Sequence, residues 1–383
     1  MKRSVLFIID SLGCGGAEKS LVSLLPLLDY SRFEISLSII RRGGYFERFL
    51  PGEVHLISFP SSPRISVFFA NGLFSVLRRL LPLLGIKRHG AELLWNCKSA
   101  IYPAFPGKYD IAIAYQQGFP TYYVAKKIHA ERKLAWINVD MEKAGYRSSY
   151  NSPFYKQFFR ICAVSNALRD RLVSTGFASK EQLLVVKDTV NVELIRKMAS
   201  APFHLNAPSG HLKLLTVGRL SAPKNYPLAI ETAKLLSEKS LAFIWFFVGE
   251  GESRKEIETL VSRYSLQDHI VLVGFQPNPY PFFLHCDIYV QTSAFEGFGL
   301  TLSEAKALHK PIVTTDFPAA FDQIKDGLNG LIAPMNPDAL AERILSLVQN
   351  PSLTERLIQN TKQEQNHTME TEYAKVNRLL VEN

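Results

Sequence analysis

The residues best suited to chemistry lie between Asp287 and Ala305, in Asp-Ile-Tyr-Val-Gln-Thr-Ser-Ala-Phe-Glu-Gly-Phe-Gly-Leu-Thr-Leu-Ser-Glu-Ala. Two carboxylates, Glu296 and Glu304, stand with seven residues between them, Gly297 and Gly299 included. The spacing alone is unspecific, because Glu250 and Glu258, or Glu364 and Glu372, repeat it. Context gives it meaning. An apolar run, a glycine-flexed loop and a helix start follow one another, an order that offers backbone N–H groups to an anion. Carboxylates on either side can accept hydrogen bonds from hydroxyls, as acidic residues do with ribose in nucleotide sites.

Two further clusters have similar settings. Val217-Gly-Arg-Leu-Ser-Ala-Pro-Lys-Asn225 follows an apolar run and brings Arg219 and Lys224 beyond its end. Beside a diphosphate these cations would matter, since a unit-charge pair at 4 Å is worth roughly 4 kcal/mol at an effective dielectric of 20. A solvated loop is the plainer alternative. Ser11-Leu-Gly-Cys-Gly-Gly-Ala-Glu18 also follows an apolar run and carries Gly13, Gly15 and Gly16. Read from Gly13, a Gly-x-Gly-x-x-Gly fingerprint fails, because its third glycine would fall at Glu18. A tight strand-to-helix turn with no ligand is the other reading of that loop.

The elements that must position these clusters are short β-branched and aromatic runs separated by helical patterns. The runs expected as strands are 5–10, 34–40, 54–59, 111–115, 134–139, 161–164 and 183–187, then 212–217, 243–248, 270–273, 288–291, 312–315 and 330–333. Such alternation predicts an α/β chain of parallel, doubly wound sheets, with ligands beyond the carboxyl ends of the strands. The pattern restarts near residue 212, after the linker-like Pro202-Phe-His-Leu-Asn-Ala-Pro-Ser-Gly210. Two Rossmann-like domains, 1–200 and 201–365, facing across a cleft, are therefore expected. A last helix, 366–383, carries Met369, Tyr373, Val376 and Leu380 on one stripe and either packs back on the first domain or ends the second. The three clusters would then form a cleft with phosphate-, cation- and hydroxyl-binding elements, which is the chemistry of a nucleotide-sugar site.

Composition narrows the classes. The chain has 383 residues, 47% hydrophobic and 21% charged, which is apolar enough for a sizeable core. Cys14, Cys97, Cys162 and Cys286 lie far apart, arguing against a disulfide scaffold and for a reducing cytoplasm. The nine histidines show no ligand spacing, so no catalytic metal or other cofactor is expected. No run of about 18 uncharged apolar residues appears, so no integral membrane span is expected. Residues 1–195 carry 26 Lys+Arg against 15 Asp+Glu, whereas 196–383 carry 18 against 20. The first half therefore faces an anionic partner.

The series Gly-Gly-Ala-Glu (15–18), Val-Ser (164–165), Gly-Arg-Leu…Lys-Asn (218–225), Val-Gly-Glu-Gly (248–251), Glu-Gly-Phe-Gly…Glu (296–304) and Gly-Leu-Asn-Gly-Leu (327–331) resembles retaining glycosyltransferases of the GT-B fold, family four. The likeness runs over nearly the whole chain and is strongest from 212 to 335. Gly274-Phe-Gln-Pro-Asn-Pro-Tyr-Pro281 is similar to bacterial members that build capsule, exopolysaccharide or lipopolysaccharide. The resemblance implies that Glu304 holds the donor ribose and that Glu296 lies by the donor sugar. Gly297, Phe298, Gly299, Leu300 and Thr301 would meet its hydroxyls. Arg219 and Lys224, with Gly218 beside them, would neutralise the departing diphosphate in place of a divalent metal, and Gly16 would line the donor–acceptor junction. The donor would be a nucleotide diphosphate hexose or N-acetylhexosamine, UDP-linked first and GDP-linked second. The alternatives are a GDP-mannose-dependent mannosyltransferase and a non-catalytic sugar-nucleotide-binding partner.

Departures from the family fall in the acceptor half. A family His near one strand end reads Ala114-Tyr-Gln-Gln117, Trp-x-His-x-Asp reads Trp136-Ile-Asn-Val-Asp140, and the Asn before the linker is replaced in Lys187-Asp-Thr-Val-Asn191. Gln117, Asn138 and Asp140 are the candidate acceptor contacts. Within 66–89, apolar residues are interleaved with Arg78, Arg79, Lys87 and Arg88, a mixture suited to an anionic lipid surface. A core helix with a solvated face is the competing reading. The expected partners are thus a nucleotide-sugar, a glycan or lipid-linked glycan acceptor and an anionic membrane, met from the cytoplasm at the inner face of the plasma membrane. No nucleic-acid motif is present.

Overall fold

The computed structural model describes residues 2–86 and 88–382, with backbone only for 365–370. It divides into two units, Met1–Asp188 with Glu372–Asn383, and Thr189–Thr371. In the first unit seven strands, β1 (Arg3–Ser11), β2 (Phe33–Arg41), β3 (His55–Leu56), β4 (Lys108–Ala114), β5 (His129–Ile137), β6 (Arg160–Ala163) and β7 (Leu183–Val185), form one sheet in the order β3-β2-β1-β4-β5-β6-β7. The second holds β8 (Leu212–Val217), β9 (Phe243–Val248), β10 (Ile270–Gly274), β11 (Ile288–Gln291), β12 (Ile312–Thr315) and β13 (Leu331–Ala333), ordered β10-β9-β8-β11-β12-β13. The strand pairs are parallel throughout, for example Val5 with Ile111 and Leu214 with Trp245.

Helices cover both faces of such sheets, so central strands are buried on both sides. Val5–Ile9 of β1 have no exposure, and Phe243, Trp245 and Phe247 of β9 have none. The run expected at 54–59 shortens to two residues at the sheet edge, where β3 meets only Ser36 and Leu37 of β2 and Pro60 follows. Each strand order reverses once, between β1 and β4 and between β8 and β11. At such a switch point adjacent connections leave in opposite directions, opening a crevice at the carboxyl ends.

The division between units lies at 188/189, not at 200/201. The helix Val192–Ala199 packs on the helices Tyr280–His285 and Leu300–Ala307, and Asn278 donates to the Met198 carbonyl at 2.8 Å. The final helix is not separate either, for Pro351–Val381 runs unbroken. From Glu372 onward it belongs to the first unit: the Glu372 carboxylate accepts the Lys187 N–H at 2.9 Å, and Val376, Leu379 and Leu380 are buried. Met369, placed by sequence on the same stripe, lies outside the residues whose side chains are described.

The helix Arg64–Leu83 departs from the competing core-helix expectation. Ala70 is its one buried residue, while Ile65 and Phe68 are each 73% exposed and Leu83 is 80% exposed. Among the described residues it is the helix long and apolar enough by length and composition to cross a membrane.

Candidate functional site

In the second unit, the switch point brings together the loops that leave β8 and β11. Ala294 N–H donates to the Pro223 carbonyl at 2.8 Å, and the Thr292 hydroxyl donates to the Lys224 carbonyl at 2.9 Å. Across this join Lys224 and Glu296 form an ion pair, each about four-fifths buried. The same Glu296 oxygen also accepts the Ser293 hydroxyl at 2.7 Å and the Gln291 amide at 3.2 Å. Arg219 stands exposed on the β8 loop, with no ion pair among the described residues. Close backbone approach explains the neighbouring glycines: a Cβ on Gly249 would lie 1.9 Å from the Gly218 carbonyl oxygen, and one on Gly251 2.2 Å from that of Leu220.

The loop from Glu296 reaches the helix Leu300–Ala307 through Gly299, whose φ of +86° is the left-handed region. Gln323, nearly buried, clamps this turn by donating its amide to the carbonyls of Phe298 at 2.7 Å and Gly299 at 3.1 Å. The Gln323 carbonyl oxygen accepts the Ser303 hydroxyl at 2.6 Å. Gln291 accepts the Thr301 hydroxyl at 2.9 Å, tying the first helical turn to the end of β11. Glu304 is fully buried, and its carboxylate accepts the Tyr280 hydroxyl at 2.9 Å. The arrangement can present backbone donors, a carboxylate and two cations to a charged, hydroxylated ligand.

In the first unit, β1 ends in the Gly13–Gly16 turn, and Gly16 begins the helix Gly16–Leu24. Burial raises the pKa of Glu18 in the first turn of that helix. Gln117, beyond β4, accepts the Asn138 backbone N–H at 3.2 Å, so these two candidates do come together. Asp140 caps its own loop, accepting Lys143 N–H at 3.1 Å, with the Arg171 guanidinium 3.7 Å away. Deeper, Ser20 donates to Asp188 at 2.6 Å and meets the Tyr115 hydroxyl at 3.0 Å. Burial pushes the Asp188 carboxyl up to about 7, while the hydrogen bond from Ser20 opposes that rise. Among the described residues, no group of three or more His, Cys, Asp or Glu could hold a metal ion.

Residues 198–364, which carry the whole β8–β11 site, match the family model described as "Glycosyl transferases group 1". Over this segment, the chain is similar to the group 1 glycosyltransferases. Over 365 residues, 92% of each chain, it is 25% identical to the Campylobacter jejuni N-acetylgalactosamine-N,N'-diacetylbacillosaminyl-diphospho-undecaprenol 4-alpha-N-acetylgalactosaminyltransferase. It is 28% identical to WcaL of Escherichia coli K12, named as a provisional colanic acid biosynthesis glycosyltransferase, over 70% of this chain and 68% of that one. The crystal structure of Anabaena HepE in complex with UDP and glucose matches with a TM-score of 0.72, 18% identity and full coverage of both chains. The fold is thus GT-B.

Within the second unit, the predicted donor residues Gly218, Arg219, Lys224 and Glu296–Thr301 gather at one switch point, with Glu304 one turn further into the helix. Glu304 is turned inward to Tyr280, so its carboxylate braces the helix in this state. Of the lipid-facing candidates, Arg78, Arg79 and Arg88 are exposed, and Lys87 lies outside the described residues. Sequence reading missed Gln291, Gln323, Tyr280 and Asp188. Gln291 had no signal beyond being a polar residue at a strand end, and Gln323 none in its own neighbourhood; Asp188 showed only as the replacement for the family's Asn.

Proposed function

We propose that the chain transfers a hexose or N-acetylhexosamine, with retention of anomeric configuration, from a UDP-sugar to a lipid-linked or surface-polysaccharide glycan. The observation carrying this reading is the join of the β8 and β11 loops, where Arg219, Lys224 and Glu296 surround the crevice at the switch point. Support for UDP comes from HepE, whose crystal structure holds it. Support for the acceptor comes from the Campylobacter relative, whose name specifies a diphospho-undecaprenol glycan.

In this reading the acceptor hydroxyl attacks the anomeric carbon on the face the diphosphate leaves. The C–O bond to phosphate breaks, and the leaving phosphate oxygen takes the hydroxyl proton. Arg219 and Lys224 stabilise the charge growing on that phosphate, the role a divalent metal would otherwise fill. Glu296 fixes the Lys224 ammonium through their ion pair and remains close to the sugar. Gln117 and Asn138 contact the acceptor. The exposed apolar helix Arg64–Leu83 and its arginines rest on the anionic inner face of the plasma membrane.

Calorimetric titration with UDP, GDP and ADP in EDTA, repeated on Glu304→Gln, tests the donor site. Tight binding of UDP alone, weakened in the variant, is expected. Binding of none, or equal binding of all three, overturns the reading.

A further inference from the structure

β11 is a central strand of a parallel sheet, and such strands are near-continuously apolar. Gln291, its last residue, breaks that rule at 2% exposure. A buried amide must find partners, and this one finds four, as many as its two N–H groups and two oxygen lone pairs allow. Its oxygen accepts the Thr301 hydroxyl at 2.9 Å and the Tyr289 hydroxyl at 3.2 Å. Its nitrogen donates to Ser293 Oγ at 3.3 Å and to Glu296 Oε1 at 3.2 Å. An ionised carboxylate only accepts, so the nitrogen has to face Glu296 and the oxygen has to face Thr301.

The direction of each bond is therefore set, running from the helix Leu300–Ala307 through Gln291 to the carboxylate. Ser293 adds a second donor to that carboxylate at 2.7 Å, and the Lys224 ammonium adds a third. All three meet one oxygen, Oε1, and Oε2 takes none of them. The last torsion of a glutamate is broad and roughly two-fold, so an untethered carboxylate exchanges its oxygens. Three donors on one oxygen hold that torsion and fix where the other oxygen points. Glu304 is held separately, by Tyr280.

We infer that Gln291 is a positioning residue of the transfer site, which holds Glu296 with Oε1 toward Lys224 so that Oε2 is presented to the donor sugar. The inference rests on the donor-site reading above, in which Glu296 lies by that sugar. Because the bonds of Gln291 end on Glu296 and not on Glu304, it governs affinity for the sugar half of the donor rather than the nucleotide half. A glutamate at 291 keeps the length and one oxygen of the native side chain. In acid its carboxyl donates a proton to Glu296 and still accepts from Thr301. Once ionised it opposes Glu296 as a like charge, and two carboxylates in such contact cannot both ionise without moving apart. Among the described residues, Lys224, Glu304, Tyr226 and Tyr289 are the charged or titratable groups around the pair. Burial raises both phenols above their ordinary value, so neither titrates between pH 5 and pH 8.

The test compares the full chain with Gln291→Glu and Gln291→Met by calorimetry at pH 5 and pH 8. The probes are UDP and one UDP-sugar, whichever of UDP-glucose, UDP-galactose and their N-acetylhexosamine counterparts the wild type binds tightest. The readout is the ratio of UDP-sugar to UDP affinity, taken relative to the wild type at the same pH. For Gln291→Glu it should be near normal at pH 5 and about tenfold lower at pH 8. For Gln291→Met, which has no amide at any pH, it should be about tenfold lower at both. UDP affinity itself should stay within about threefold throughout. A ratio that follows the wild type at pH 8 in either variant overturns the inference. So does loss of UDP and UDP-sugar in equal measure, which is what a collapsed loop would give. If the wild type binds UDP and the variants leave the ratio alone, only the role of Gln291 is wrong. If the wild type binds neither UDP nor any of the four sugars, the donor-site reading itself fails.

Discussion

Arg219 and Lys224 are not equivalent, although both are cations on one loop. Lys224 is held by Glu296, whereas Arg219 is exposed, so Arg219 has its full charge available to a leaving phosphate. Arg219→Ala should therefore lower the transfer rate by about 100- to 1000-fold, as other losses of preorganised charge donors do, with little change in melting temperature. A near-normal rate would remove Arg219 from the mechanism. Asp188 makes a second residue-level prediction. Its carboxyl titrates at about 7 in the fold against an ordinary 3.8, so the folded state binds that proton more tightly than the unfolded chain. Its contribution is fully present in acid and is lost as pH rises from near 4 through about 7. Asp188→Asn keeps a group able to accept the Ser20 hydroxyl without becoming charged. At pH 8 the variant should be more stable than the wild type by about 1–3 kcal/mol, a gap closing toward pH 5, read by thermal unfolding across that range.

The loop from Glu296 to Gly299 shows how much of the site was legible at the scale of elements. Its glycines, its place after β11 and the helix behind it were readable, because apolar runs and glycine punctuation are local properties of the chain. The strands were equally legible: all thirteen runs became strands, with bounds shifted by a few residues. What could not be read was the bracket that holds the loop. Gln291, Gln323 and Tyr280 acquire their roles only when the strand order places β11 beside β8 and β12, and nothing in their own neighbourhoods marks them. The unit boundary was misplaced for the same reason, since Val192–Ala199 looks like the end of one domain until its packing partners are known. Gly299 lets the bracket be tested. Its left-handed φ costs a side chain about 1–2 kcal/mol, and a Cβ there would sit 3.2 Å from the Phe317 ring. Gly299→Ala should displace the turn that Gln323 clamps and weaken UDP binding by about tenfold. Unchanged affinity would show that the turn does not shape the donor site.

At the scale of the whole chain, charge and connectivity follow different divisions. The positive excess lies within 1–195, in keeping with a first unit that meets anions. Connectivity gives that unit its last piece from the far end of the sequence. Arg3 donates to the Leu380 carbonyl at 3.1 Å, Asn377 accepts the Asp29 N–H at 3.4 Å, and Arg160 pairs with Glu382 at 3.1 Å. Together with the buried Val376, Leu379 and Leu380, these contacts make the last turns of the final helix part of the first unit's core. Burying each such side chain is worth about 1.5–3 kcal/mol, so losing three approaches the whole stability of an ordinary domain. A chain ending at Thr371 should therefore melt its first unit well below the wild-type temperature in scanning calorimetry. The second unit, whose residues all remain, should keep its own transition and its affinity for UDP. Loss of both transitions together would show instead that the two units unfold as one. An unchanged first transition would show that the terminal turns are only laid against a unit already stable without them.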